Sequence, residues 1–178
     1  MKKWIVASAA LLALVSGVYF GSPYYAIHSL RSAALEADTD KLEANVDFPA
    51  VRESLKSQLS AAMMTKMQND PEMRDNPFVG LGAMMMPAIV DRMVDAFVTP
   101  DGIAAAIRGQ KPTEVNKVED NPKIENRSEY VNLDRFRGRL RNTALNADGP
   151  SLLLERRGFA SWKLIKLEVP SDLFDGEG

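Results

Sequence analysis

The chain has 178 residues, 46% of them hydrophobic and 26% charged, with a formal net charge of −2. A balance so close to neutrality gives no reason to expect nucleic acid as a partner, and the length suits one domain plus an extension. The absence of cysteine excludes a disulfide framework, thiol catalysis, thiolate metal sites and a lipid-modified N-terminal cysteine together.

Met1-Lys2-Lys3 is a short basic start, followed by an uncharged run over residues 4–20 that includes Ile5, Val6, Leu11, Leu12, Leu14, Val15 and Val18. As helix, this run spans about 25 Å, near the lower limit for a bilayer core. A core helix would carry a polar stripe, and only Ser8 and Ser16 interrupt this one. Residues 1–21 therefore read as a signal anchor or signal peptide, with the two lysines held on the cytoplasmic side. A cleavage after Gly17 would lack the small-x-small pattern. Aromatic residues stand at both ends, Trp4 on one side and Tyr19, Phe20, Tyr24 and Tyr25 on the other, and favour a retained anchor.

Ser22-Pro23 reads as a cap and first position of a new helix with Tyr24, Ile27, Leu30, Ala34 and Leu35 on its apolar face. Asp38-Thr39-Asp40 opens a short turn of helix through Leu42 and Val46. Asp47-Phe48-Pro49 starts another helix with the stripe Val51, Leu55, Leu59, Ala62 and Met63, ending near Gln68. Residues 69–77 read as a loop. Residues 78–98 carry Asp91, Arg92 and Asp95, which exclude a second span; a buried or interfacial helix with Ile89, Met93, Ala96 and Phe97 inward is expected. Thr99-Pro100-Asp101 caps a further short helix ending at Gly109. Residues 110–128 read as a connector with one short strand around 114–118. From Glu129 the period becomes two, and residues 129–142, 151–157 and 160–169 are expected as three strands. Helices first and an antiparallel meander last is an α+β pattern: several helices packed on one face of a C-terminal sheet of three to four strands. The domain is expected over residues 22–172, with a disordered tail over 173–178.

Four arginines alternate along one strand: Arg135, Arg137, Arg139 and Arg141. Such a row can bind anionic lipid or an envelope polymer, or simply form the solvent face of a sheet neutralised by Glu129, Asp134 and Glu155. Met63, Met64, Met67, Met84, Met85, Met86 and Met93 suit adaptable packing or a plastic apolar groove, since no cysteine and only one histidine, His28, exist to complete a metal site. Asp91 and Asp95 stand one helical turn apart, a spacing a hydrolase can use and a solvated helix face also explains. No Gly-rich phosphate loop, nucleophile elbow, HExxH or calcium loop is present. No cofactor, metal or catalytic residue is assigned.

Two stretches carry a family resemblance. Ser22-Pro23-Tyr24-Tyr25-Ala26-Ile27 through Lys41-Leu42, and Val46-Asp47-Phe48-Pro49-Ala50-Val51 through Lys56, resemble the opening of the bacterial domain of unknown function 2939 family. Val98-Thr99-Pro100-Asp101-Gly102 and Trp162-Lys163-Leu164-Ile165 resemble its later landmarks. The resemblance implies a short Gram-negative protein with an N-terminal hydrophobic segment and no established activity. A weaker, fold-level likeness is to cystatin-like and nuclear-transport-factor-like domains, whose curved sheet wraps a helix. The resulting expectation is a single-pass inner-membrane protein held through residues 4–20, or a soluble periplasmic one after cleavage. Its domain is expected to be a non-catalytic envelope-associated interaction module, meeting an envelope protein or anionic lipid. The alternatives are an anion binder using the arginine strand and a hydrolase with an unrecognised carboxylate site.

Overall fold

The computed structural model describes residues 2–69, 79–108, 124–142 and 147–168. Lys2–Glu36 is one uninterrupted helix, α1, with Pro23 inside it. This differs from the helix start expected at Ser22-Pro23. A proline removes the N–H that would bond the carbonyl four residues back, here Tyr19. That carbonyl is recovered by side chains: the Ser22 hydroxyl donates to it at 3.0 Å and the Arg156 guanidinium at 3.4 Å. The helix therefore survives its proline.

The two halves of α1 differ in surroundings. Its N-terminal half is exposed throughout, and only 6% of its most apolar eighteen-residue window is buried. Among the described residues this is the one helix long and apolar enough to cross a membrane. The second half buries Ile27, Leu30, Ala33 and Ala34, while Tyr24 and Leu35, expected inward, are largely exposed. The helix ends on Ala37 at φ 53°, the left-handed position usually given to glycine. The Asp38 N–H reaches back to the Ala33 carbonyl at 2.9 Å. Buried Arg108 donates to the Ala34 carbonyl at 2.6 Å, placing a cation at the negative end of the helix.

Three short-range caps set the next helices. In α2 (Thr39–Asn45), the Asp38 carboxylate accepts the Lys41 N–H at 3.0 Å. The Lys41 side chain, 2.8 Å away, helps to hold that carboxyl below its ordinary pKa. In α3 (Phe48–Asn69), Asp47 accepts the Ala50 N–H at 3.2 Å. Val51 of α3 is fully buried, and Leu55, Leu59 and Met63 pack on the core's edge along the expected stripe.

Val79–Phe97 forms α4. Its buried positions are Val90 and Val94, continued by Val98, with Met86 at the margin. Ile89, Met93, Ala96 and Phe97 are exposed instead of inward. In this rotation the carboxylates meet α3: Lys56 lies 3.0 Å from Asp91 and 3.7 Å from Asp95, and Arg52 lies 3.7 Å from Asp95. The observed rotation thus sets the 91/95 edge against α3 and buries Val90, Val94 and Val98, whose burial outweighs such exposed pairs. Thr99 then caps α5 (Pro100–Ile107), its hydroxyl accepting the Gly102 N–H at 3.1 Å. A Cβ at Gly102 would fall on the Phe97 carbonyl oxygen, so only glycine fits this return.

The sheet is an antiparallel meander, β1 (Ile124–Asn132), β2 (Arg135–Asn142), β3 (Ala147–Arg156) and β4 (Trp162–Glu168), in the order β1-β2-β3-β4. The single strand expected over 129–142 is thus a hairpin turned at Leu133-Asp134. The turn is fixed by the Asn132 side chain, which accepts the Asp134 N–H at 2.9 Å. Val46 adds a parallel bridge to β4, with the Asp47 N–H donating to the Leu164 carbonyl at 2.8 Å. Phe136, Leu152, Leu154, Trp162, Leu164 and Leu167 point from the sheet into the helices, forming one core with α1 to α5. The α+β expectation holds. The strand expected around 114–118, the loop and connector positions within 70–78 and 109–123, and the tail over 173–178 lie outside the described residues.

Candidate functional site

The densest set of specific contacts lies where the exposed half of α1 meets the domain. Register places Arg156, at the end of β3, opposite Trp162, at the start of β4. The Arg156 guanidinium stands 3.8 Å from the centre of the Tyr19 ring and 4.2 Å from Trp162, stacked between them. It donates to the Phe159 carbonyl at 2.7 Å, to Leu133 at 3.2 Å and to Tyr19 at 3.4 Å, with the Asp134 carboxylate 3.6 Å away. Its side chain is only 7% exposed. An arginine so fully engaged is a fastener between elements.

Two further bonds close the junction. The Trp162 indole N–H donates to the Ser22 hydroxyl at 2.8 Å, and the Tyr130 hydroxyl donates to the Phe20 carbonyl at 2.8 Å. Burial raises the pKa of Tyr130 above its ordinary value, while neighbouring Arg156 opposes the shift. Phe136 sits among Tyr24, Tyr130 and Trp162 with ring centres 4.7, 4.9 and 6.3 Å away, all edge-on. Both hairpin tips, at Leu133-Asp134 and near Phe159, thereby grip α1 at residues 19–23. Sequence reading missed this clasp. It noticed the aromatic residues near 19–25, but nothing local couples Tyr19 to Arg156 or Ser22 to Trp162.

Arg135, Arg137 and Arg139 lie on the face of β2 opposite the buried Phe136 and Gly138. Arg139 bonds Glu129 at 2.8 Å; Arg137 lies 3.8 Å from Glu129 and 3.6 Å from Glu168; Arg135 lies 3.8 Å from Glu155. Glu129, Glu155 and Glu168 thus pair with three of the arginines, while Asp134 turns to Arg156. The backbone of Arg141 continues β2, paired with Glu125 on one side and Asp148 on the other.

Asp91 and Asp95 share Lys56 between them, and the bond to Asp91 raises the lysine pKa above its ordinary value. The carboxylates act as an inter-helix tie and stay more than half exposed. His28 is exposed on α1, beside Arg31, Ser32, Leu35 and Glu36 along a shallow groove. Met85 and Met93 are 59% and 40% exposed, and with Ile89 and Phe97 they form an uncovered apolar face on α4, while Met84, 82% exposed, lies on the edge of Asp91 and Asp95. Met64 of α3 is likewise exposed, whereas Met63 and Met86 pack against the core. Among the described residues, no group of three or more metal-ligating His, Asp or Glu side chains comes together.

No curated protein matches the chain, and no solved structure does. One family model, described as a protein of unknown function (DUF2939), matches residues 12–106, from within the apolar half of α1 to the end of α5 and just over half of the chain. The chain belongs to that family.

Proposed function

We propose that the protein is a single-pass inner-membrane protein whose domain acts in the periplasm as a non-catalytic interaction module. One observation carries this reading: the uncovered apolar half of α1 runs without a break into the helix at the centre of the core. Removing the apolar half from water requires a lipid phase. The basic residues Lys2 and Lys3 precede it, which favours an outward domain. The clasp weighs against cleavage at its own level, whereas cleavage after Gly17 would leave it whole. Proteolysis after Gly21 or Ser22 would separate Tyr19 and Phe20 from the strands whose side chains bond their carbonyls.

The binding role is supported by the uncovered apolar face of α4, where Met85, Ile89, Met93 and Phe97 follow one another at four-residue spacing. Flexible thioethers suit a protein surface that must adapt to its partner. The ion pairs of Arg135, Arg137 and Arg139 with Glu155, Glu129 and Glu168 weigh against a free anion site on β2. The engagement of Asp91 and Asp95 with Lys56 weighs against a carboxylate hydrolase. The test is fractionation of cells producing the full chain, with a photo-crosslinking residue at Ile89 or Met93. Recovery of the intact N-terminus in the membrane fraction, with a discrete adduct formed only from the α4 face, supports the reading. A mature protein beginning at Val18 overturns the anchor, and no adduct from either position overturns the α4 surface.

A further inference from the structure

We infer that the two hairpin tips of the sheet, through Leu133 and Phe159, form a collar that dips into the lipid–water interface around the emerging helix. This rests on the anchored reading above and adds a second, non-helical contact with lipid. The tips sit level with the end of the apolar run. The Phe159 ring lies 5.5 Å from the Tyr19 ring, and Arg156, stacked on Tyr19, bonds the carbonyls of both Leu133 and Phe159. One cation therefore presents both tips together at the level of Tyr19.

Helix geometry gives that level a depth. Tyr19 lies fifteen residues beyond Trp4 in α1, about 23 Å along the axis at about 1.5 Å per residue. With Trp4 at one boundary, Tyr19 and Phe20 reach the opposite boundary of a hydrocarbon layer thinned locally by about 7 Å from its usual ~30 Å. Leu133 is 61% exposed and Phe159 54%, the wrong side chains for two turns facing only water. On the helix, Phe20 and Tyr25 are also exposed, adding the aromatic groups that favour the headgroup zone. The flanking charges are mixed: Arg157 is paired with Asp47 and Glu155, Arg135 with Glu155, and Asp134 with Arg156. The collar therefore recognises the bilayer boundary itself and has no need of anionic headgroups.

The absence of native cysteine makes the test direct. Single variants Leu133→Cys, Phe159→Cys, Leu12→Cys and Glu36→Cys of the full chain carry a nitroxide in phosphatidylcholine nanodiscs. Collision with oxygen and with a water-soluble nickel chelate is then compared. All four positions are exposed, so the labels leave the core intact. The expected result is an oxygen-to-nickel ratio at 133 and 159 severalfold above that at Glu36, which lies at the far end of α1, and approaching that at Leu12. Ratios at 133 and 159 equal to that at Glu36, with Leu12 still in lipid, overturn the collar and leave the anchor standing. A water-like ratio at Leu12 as well overturns the anchor and the collar with it.

Discussion

The two halves of α1 share one backbone geometry, yet only the second, which carries His28, Arg31 and Glu36 where residues 4–20 are uncharged, is folded into anything. Residues 4–18 expose Trp4, Ile5, Leu11, Leu12 and Leu14, whereas Ile27 and Leu30, a few turns further on, are within 2% of complete burial. The difference does not come from helix propensity or from apolar content. It comes from where the strands end. The tips of β1–β2 and β3–β4 reach α1 at residues 19–23 and go no further toward its N-terminus, so the side chains before that point have no protein neighbour. On the anchored reading, a helix of this kind would belong to two solvents, with the clasp at their boundary.

That division can be broken or sharpened by substitution. The largest expected contrast is Leu30→Ala against Leu12→Ala. The first should lower the unfolding free energy of the detergent-solubilised domain by about 3 kcal/mol, as for a buried leucine, and the second should leave it unchanged. Equal losses in denaturant titrations would mean that the apolar half is also part of the fold. Arg156→Ala should cost about 2 kcal/mol, because it removes two ring contacts and the cation that bonds three carbonyls. It should also loosen the domain relative to the anchor, read as a broadened distance distribution between spin labels on the two halves.

Ser22→Ala strands the Trp162 N–H and should cost about 1 kcal/mol, with a shift in indole emission. The smallest effect has the opposite sign. Ala37→Gly relieves the left-handed backbone at the end of α1 and should raise stability by about 0.5 kcal/mol. The same denaturant titrations should read the gain as a raised midpoint.

Much of this architecture was readable from the chain. The caps at Asp38, Asp47 and Thr99 act through residues three positions away, so their patterns suffice to place α2, α3 and α5. The alternation around Phe136, Leu152, Leu154 and Leu164 marked the sheet for the same reason. Pro23 misled because a proline is as good a start as it is a bad interior residue, and its tolerance depends on Arg156, far away in sequence. The face of α4 misled because two apolar stripes lie side by side, and the choice between them is made by packing against other elements, which buries Val90, Val94 and Val98. The hairpin at Leu133 was hidden by an apolar residue at its tip, although Asn132 and Asp134 around it are turn formers. The clasp was not legible at all, since it consists of pairings more than a hundred residues apart.

Pro23 has a mechanical consequence. An interior proline ordinarily gives a helix a flexible joint, because the unbonded carbonyl lets the two segments swing. Here that carbonyl is held by Ser22 and Arg156, and Pro23 is itself buried. The joint is locked, and α1 works as a stiff shaft set in the core at one end. Any tilt or rotation imposed on the first half by its surroundings is delivered as torque to Ile27 and Leu30. On the anchored reading, a change in bilayer thickness would then reorient the whole domain, α4 face included, without any residue of that face touching lipid.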